Sequence, residues 1–154
     1  MVLGHRKAEI AAELAESGAT LVENPDYQEG MLSSVRAGLR AASPNAEWLV
    51  IALGDQPSLR PETVARLLVE ARKGPESIVV PSFGGRRGHP LVFHARYRAE
   101  IMALAGGRGL KELLERHPDS IRHALFDDEA VLADMDTPEE YRRELRRLET
   151  LPGE

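Results

Sequence analysis

The residues with most chemistry to offer are aspartates placed directly after apolar runs, among glycine and proline. In Leu53-Gly54-Asp55-Gln56-Pro57 a carboxylate follows the apolar run Trp48-Leu49-Val50-Ile51-Ala52-Leu53. Gly54 lets a ligand approach the backbone, and Pro57 fixes the turn. One carboxylate so placed can hold Mg²⁺, which keeps most of its waters and takes only one or two protein oxygens beside phosphates. Asp55 can equally be a turn residue or a helix cap, and spacing alone leaves the two readings level. A second acidic group is Asp134-Met135-Asp136-Thr137-Pro138-Glu139-Glu140. It reads first as helix capping, with Thr137 as the cap and glutamates at the positive end of the helix dipole. Asp134 and Asp136 also follow a strand-like stretch, so either could meet Asp55 at one sheet edge. Two aspartates from separate loops on one Mg²⁺ suit phosphate chemistry.

Two further loops carry polar groups. Asn24-Pro25-Asp26-Tyr27-Gln28-Glu29-Gly30-Met31-Leu32-Ser33-Ser34 ends at a helix start, whose unpaired N–H groups and hydroxyls could bind a base or a phosphate. Taken alone, the serines read more simply as caps. Gly88-His89-Pro90 places an imidazole in a hairpin, and Arg86 and Arg87 beside it could contact an anion. Solvated arginines and an exposed histidine are the plainer reading there. His5, His94, His117 and His123 show no ligand spacing, no Ser-His-Asp set can be picked out, and no G-x-x-x-x-G-K-[ST] loop is present.

The elements that must position these groups follow from periodicity. Helices are expected over Glu9–Glu16, around Met31–Leu39, from Pro61 through Ala71, over Ala95–Leu104 and Gly109–His117, and from Pro138 to Leu148. Strands are expected at Thr20–Val22, at Trp48–Leu53 as a segment buried on both faces, and at Ser77–Pro81. Others are expected at Leu91–Phe93, near Ile121–Leu125 and near Ala130–Ala133. Strands alternating with helices through short turns indicate an α/β fold with a mostly parallel sheet. Ligands in such folds bind beyond the carboxyl ends of strands.

With 154 residues, 42% hydrophobic and 29% charged, the chain suits one domain, read here as 1–150. Its net charge of −5 argues against non-specific binding of DNA or RNA, while a local array of N–H groups can still take a phosphate. The absence of cysteine excludes a disulfide scaffold, a thiolate metal site and a cysteine nucleophile. No apolar run is long enough to cross a membrane and no secretory signal is visible, so the cytoplasm is the default compartment.

In order along the chain, Asn24-Pro25 with Gly30 through Gly38, Leu53-Gly54-Asp55-Gln56-Pro57, Arg87-Gly88-His89-Pro90-Leu91-Val92-Phe93 and Asp134 through Tyr141 resemble the MobA-like nucleotidyltransferases, and among them the molybdenum cofactor cytidylyltransferases. The resemblance implies a Rossmann-like nucleotidyltransferase fold. It also implies Mg²⁺-dependent attack of a pterin phosphate on the α-phosphorus of a nucleoside triphosphate, CTP being favoured over GTP, with release of pyrophosphate. By carry-over Asp55 and Asp136 are the catalytic, metal-side carboxylates, Asp134 being the weaker match. Gly30, Ser33, Ser34, Gly54 and Asp55 contact the nucleotide, and Gly88, His89 and Pro90 face the pterin. Positioning and charge neutralisation would supply most of the rate.

The departures set further expectations. The family's opening strand and glycine-rich loop, Leu-Ala-Ala-Gly…Arg-Met-Gly…Lys, have no counterpart, and Val2-Leu3-Gly4-His5 reads like a strand entering a helix. The family's late Gly-Asp…Gly-Ala-Arg is matched only by Gly106-Gly107-Arg108-Gly109-Leu110-Lys111, which lacks the acid and carries Lys111 for the arginine. The expected fold therefore lacks its first strand, loop and helix. The chain is read as a fragment, a reading frame started at too late a methionine, or one half of an association that completes the N-terminal part. Catalysis by these 154 residues alone is not expected. The competing readings are a non-catalytic nucleotide- or partner-binding remnant and a sugar- or polyol-phosphate nucleotidyltransferase on the same fold.

Overall fold

The structure is a computed structural model that describes residues 1–74, 78–105, 107–133, 135 and 137–149. In chain order these form β1 (Val2–Leu3), α1 (Lys7–Glu13), β2 (Val22–Glu23), α2 (Met31–Ala41), β3 (Trp48–Ile51) and α3 (Pro61–Arg72). They continue with β4 (Ile78–Phe83), β5 (Arg86–Arg87), β6 (Leu91–His94), α4 (Arg98–Ala103), α5 (Leu110–Arg116), β7 (Ile121–Leu125) and α6 (Pro138–Glu149). Two compact units result. One holds Met1–Glu47 and Ala95–Asp119, the other Trp48–His94 and Ser120–Glu154.

In the first unit β1 and β2 pair in parallel, Val2 opposite Val22 and Leu3 opposite Glu23, with α1 as the crossover. Parallel pairing demands such a crossover, because a tight hairpin reverses direction. α2 buries Leu32, Val35, Ala37 and Leu39, spaced to form one apolar stripe. Gly38 lies so near β1 that an added Cβ would be 3.1 Å from Val2 Cγ2. The C-terminal carbonyls of a helix need outside donors, and Arg98 provides them. Its guanidinium donates to Leu39 O (3.0 Å), Ala42 O (3.2 Å) and Ser43 O (2.8 Å).

The second unit is built on a sheet of order β3-β6-β4-β5, with β7 on the far side of β4. The α/β class is as the sequence predicts, but the sheet is mixed where a mostly parallel one is expected. β7 runs parallel to β4, while β6 is antiparallel to both β3 and β4, and β5 is antiparallel to β4. The cause is the tight turn at Gly84 (φ 56°) and Gly85 (φ 78°), which folds the chain straight back after β4. α3 covers one face. Leu67 and Ala71 pack with Val79, Val92 and Ala124, and Trp48, Leu68 and Phe126 close the cluster. Full burial of a residue such as Leu67 contributes about 1.5–3 kcal/mol.

Two other expectations need correction. The Trp48–Leu53 run forms a strand of only four residues, and Val50 is 39% exposed, because β3 has a single hydrogen-bonded neighbour. Near 130–133 there is no strand: Glu129–Val131 is a 3₁₀ turn, started by Asp128 accepting from Ala130 N at 2.9 Å. The capping of α6 is as read. Thr137 Oγ1 accepts from Glu140 N (3.2 Å) and Glu140 Oε2 from Thr137 N (2.8 Å), a reciprocal capping box. No helix among the described residues is long and apolar enough to cross a membrane.

Candidate functional site

In the first unit the polar groups gather beyond the carboxyl ends of β1 and β2. A groove of about 480 Å³ is lined there by Gly4, Arg6, Lys7, Glu23, Asn24 and Tyr27, among others. Arg6 hydrogen-bonds Glu9, which holds that carboxyl below its ordinary range, and Lys7 pairs with Glu23. These exposed pairs contribute little to stability.

Asn24 organises the loop that follows. Its buried side chain donates to Ser33 Oγ (2.8 Å) and Ser34 Oγ (3.0 Å) and accepts from Asp26 N (3.1 Å). Ser33 gives its own proton to Gly30 O at 2.8 Å. Gly30 begins α2 at φ 96° and ψ −179°, a conformation open essentially to glycine alone. The structure therefore brings Gly30, Ser33 and Ser34 together as the sequence predicts, but assigns their hydroxyls differently. Neither serine caps the helix. Ser33 is saturated and buried, whereas Ser34 is partly exposed and keeps its proton for another acceptor. Asn24, the hub, was visible in the sequence only as the start of a turn. Asn24→Ala should cost about 2 kcal/mol, since it strands the N–H of Asp26 and the hydroxyls it bridges. Urea unfolding would show this as a lower midpoint at unchanged slope.

In the second unit β3, β4 and β7 point the same way and β6 the opposite way. The loop after β3, the ends of β4 and β7 and the start of β6 therefore share one rim of the sheet. Asp55, Gly88, His89, Pro90 and Ser82 lie on it. Along the register, Ile51 faces Leu91 and Val79 faces Val92, so the His89-Pro90 segment enters between β3 and β4. This segment is held by backbone bonds from Gly88 N to Pro81 O (2.8 Å) and from His89 N to Val131 O (2.9 Å). The His89–Pro90 peptide is cis.

Asp55 is half-buried, and its Oδ1 is buried without a hydrogen-bond partner among the described residues. An ionised oxygen without a donor is costly unless a cation or ligand proton meets it. The neighbouring Gln56, 7% exposed, likewise has a buried and unpartnered Oε1. Sequence reading quoted Gln56 only as part of the turn. No group of three or more metal-ligating side chains occurs among the described residues. Asp134 and Asp136 lie outside the described residues. A hard cation that needs only one or two protein oxygens and fills its shell with water and phosphate fits what Asp55 offers. Gly54 adds open space, with nothing within 4 Å of an added Cβ.

Comparison with known proteins agrees with this rim. The MobA-like NTP transferase domain matches residues 1–121. The chain is 34% identical to the nicotine blue oxidoreductase of Paenarthrobacter nicotinovorans, over 93% of this chain and 72% of that protein. It is 24% identical to the molybdenum cofactor cytidylyltransferase of Escherichia coli, over 92% and 70% respectively. The crystal structure of the Rv0371c protein of Mycobacterium tuberculosis H37Rv in complex with manganese superposes with a TM-score of 0.74. There the identity is 30%, with 94% of this chain and 76% of that chain covered. A Rossmann-like α/β fold, with glycine-flanked acid and hairpin histidine at the strand ends, is thus shared with proteins that transfer nucleotides, and the chain belongs to the MobA-like NTP transferase family, a family of nucleotidyltransferase enzymes.

Proposed function

We propose that residues 1–150 act as one domain for Mg²⁺-dependent transfer of CMP from CTP to a pterin phosphate, with release of pyrophosphate. The observation that carries this reading is the orphaned Oδ1 of Asp55 on the strand-end rim. Asp55 and Asp136 would hold the metal, whose charge would neutralise phosphate oxygens as the α-phosphorus is attacked. Gly54 leaves the backbone open for the nucleotide. Gly30 and Ser34 would meet the base, with Ser33 holding Gly30 in place. Gly88, His89 and Pro90 would face the pterin, their backbone fixed by Pro81 and Val131. No covalent enzyme intermediate is required, because the acceptor phosphate supplies the nucleophile and pyrophosphate leaves from the same phosphorus.

The test is pyrophosphate release by the full chain with Mg²⁺, molybdopterin and either CTP or GTP. Release with CTP and little with GTP is expected. Release with GTP alone would overturn the choice of nucleotide, and none with any triphosphate would sink the catalytic reading.

A further inference from the structure

We infer that Arg87 and His123, with Ser82 positioning the imidazole, form a subsite for a phosphomonoester dianion carried by the acceptor substrate. Ser82 is 3% exposed near the end of β4, and its Oγ lies 2.9 Å from His123 Nδ1 on β7. The bond is diagonal: Val80 faces His123 and Ser82 faces Leu125, so Ser82 and His123 share one face of the sheet. On the other side of β4, Arg87 of β5 stands directly opposite Ser82, which places its side chain on that same face. This is the face away from α3, whose contacts are Val79, Val92 and Ala124.

The chemistry follows from proton inventory. Ser82 is too buried to be a nucleophile, but it fixes one ring nitrogen of an exposed imidazole and leaves Nε2 outward. An anion at Nε2 selects the form in which Nε2 carries a proton and Ser82 Oγ–H donates to Nδ1. Arg87 is exposed, has no ion-pair partner among the described residues, and offers a fork of N–H donors suited to phosphate oxygens. Sequence reading left Arg87 as a solvated arginine and found no partner for His123; β-strand register brings both to Ser82.

The end of β4 is two strand spacings, about 10 Å, from the end of β3, with the His89-Pro90 segment between them. A phosphate here is therefore set apart from one bound at Asp55. The role given to the ligand rests on the nucleotidyl-transfer reading; its binding does not.

The test uses the full chain, labelled with ¹⁵N-histidine, and inorganic phosphate as the probe, without nucleotide or metal. A saturable shift of the His123 ring resonances is expected. Arg87→Gln should weaken phosphate about tenfold with no change in Tm, the loss of a charge-assisted pair. Ser82→Ala should move the Nδ1 resonance and weaken phosphate about fivefold, a hydrogen bond's worth of orientation. Absence of a saturable shift, or an Arg87→Gln protein that titrates like the parent, would overturn the subsite. Unchanged phosphate affinity in Ser82→Ala would overturn the positioning role. Displacement of phosphate from His123 by CTP with Mg²⁺ would assign the group to the nucleotide and overturn the acceptor assignment. Loss of metal binding on changing Asp55 bears on the nucleotidyl-transfer reading alone.

Discussion

Asp55→Ala is expected to abolish stabilisation of the chain by Mn²⁺ or Mg²⁺ while leaving its metal-free stability unchanged or slightly higher. The second half of that expectation is the unusual one. Truncating a partly buried polar residue normally strands its partners, but Oδ1 of Asp55 has none among the described residues. Its removal strands nothing and relieves an unmet acceptor. The first half follows from linkage. A cation at about 100 times its dissociation constant stabilises the native state by about 2.7 kcal/mol, a rise in Tm of about 5–10 °C for a chain of this size. Thermal unfolding with and without MnCl₂, on parent and variant, measures both halves. An equal rise in the variant would show that the metal is held elsewhere. A large fall in metal-free Tm would show that Asp55 is a structural turn residue after all.

The second large effect is expected at Gly88. A Cβ there would lie 2.0 Å from Val131 O and 2.7 Å from Val131 C, so the obstacle is backbone that no rotamer can move. Gly88→Ala must push apart the Pro81–Gly88 and Val131–His89 hydrogen bonds that hold the hairpin segment. Overpacking of this kind costs about 3 kcal/mol or more, read as a fall in Tm of about 6–12 °C. Gly54→Ala is the control. Nothing lies within 4 Å of its added Cβ and its φ is not in the left-handed range, so stability should hold or rise by about 0.5 kcal/mol. Equal losses in the two variants would mean that general backbone entropy, not the Val131 contact, governs Gly88.

What could be read in advance divides along physical lines. The strand-to-loop passage at Leu53-Gly54-Asp55 was legible because apolar runs, glycine and acid are local signals, and the helices were legible by period. Burial of Val50 was misjudged because the number of neighbours a strand acquires is a property of the sheet, not of the strand. The 3₁₀ turn at Glu129–Val131 was misread as a strand because the carboxylate of Asp128 captures the N–H of Ala130 and decides a stretch that composition leaves open. The Ser82–His123 pair could not be seen at all, since the two residues meet only through the parallel register of β4 and β7. Asn24 was quoted for its turn, and its amide turned out to bind both serines.

The division of the chain into units drawn from alternating segments bears on how it can be made and cut. Synthesis delivers β1, β2 and α2 first, then β3 through β6, and only afterwards the stretch that carries Arg98. At about 5–20 residues per second, the carbonyls of Leu39, Ala42 and Ser43 spend several seconds with water where Arg98 will later be. Equally, Ile121–Leu125 must emerge before β4 gains its parallel neighbour. Neither unit can therefore finish folding on the ribosome from a prefix of the gene. A single protease nick would separate no intact half, and the unit of inheritance here is the pair of segments, taken twice over.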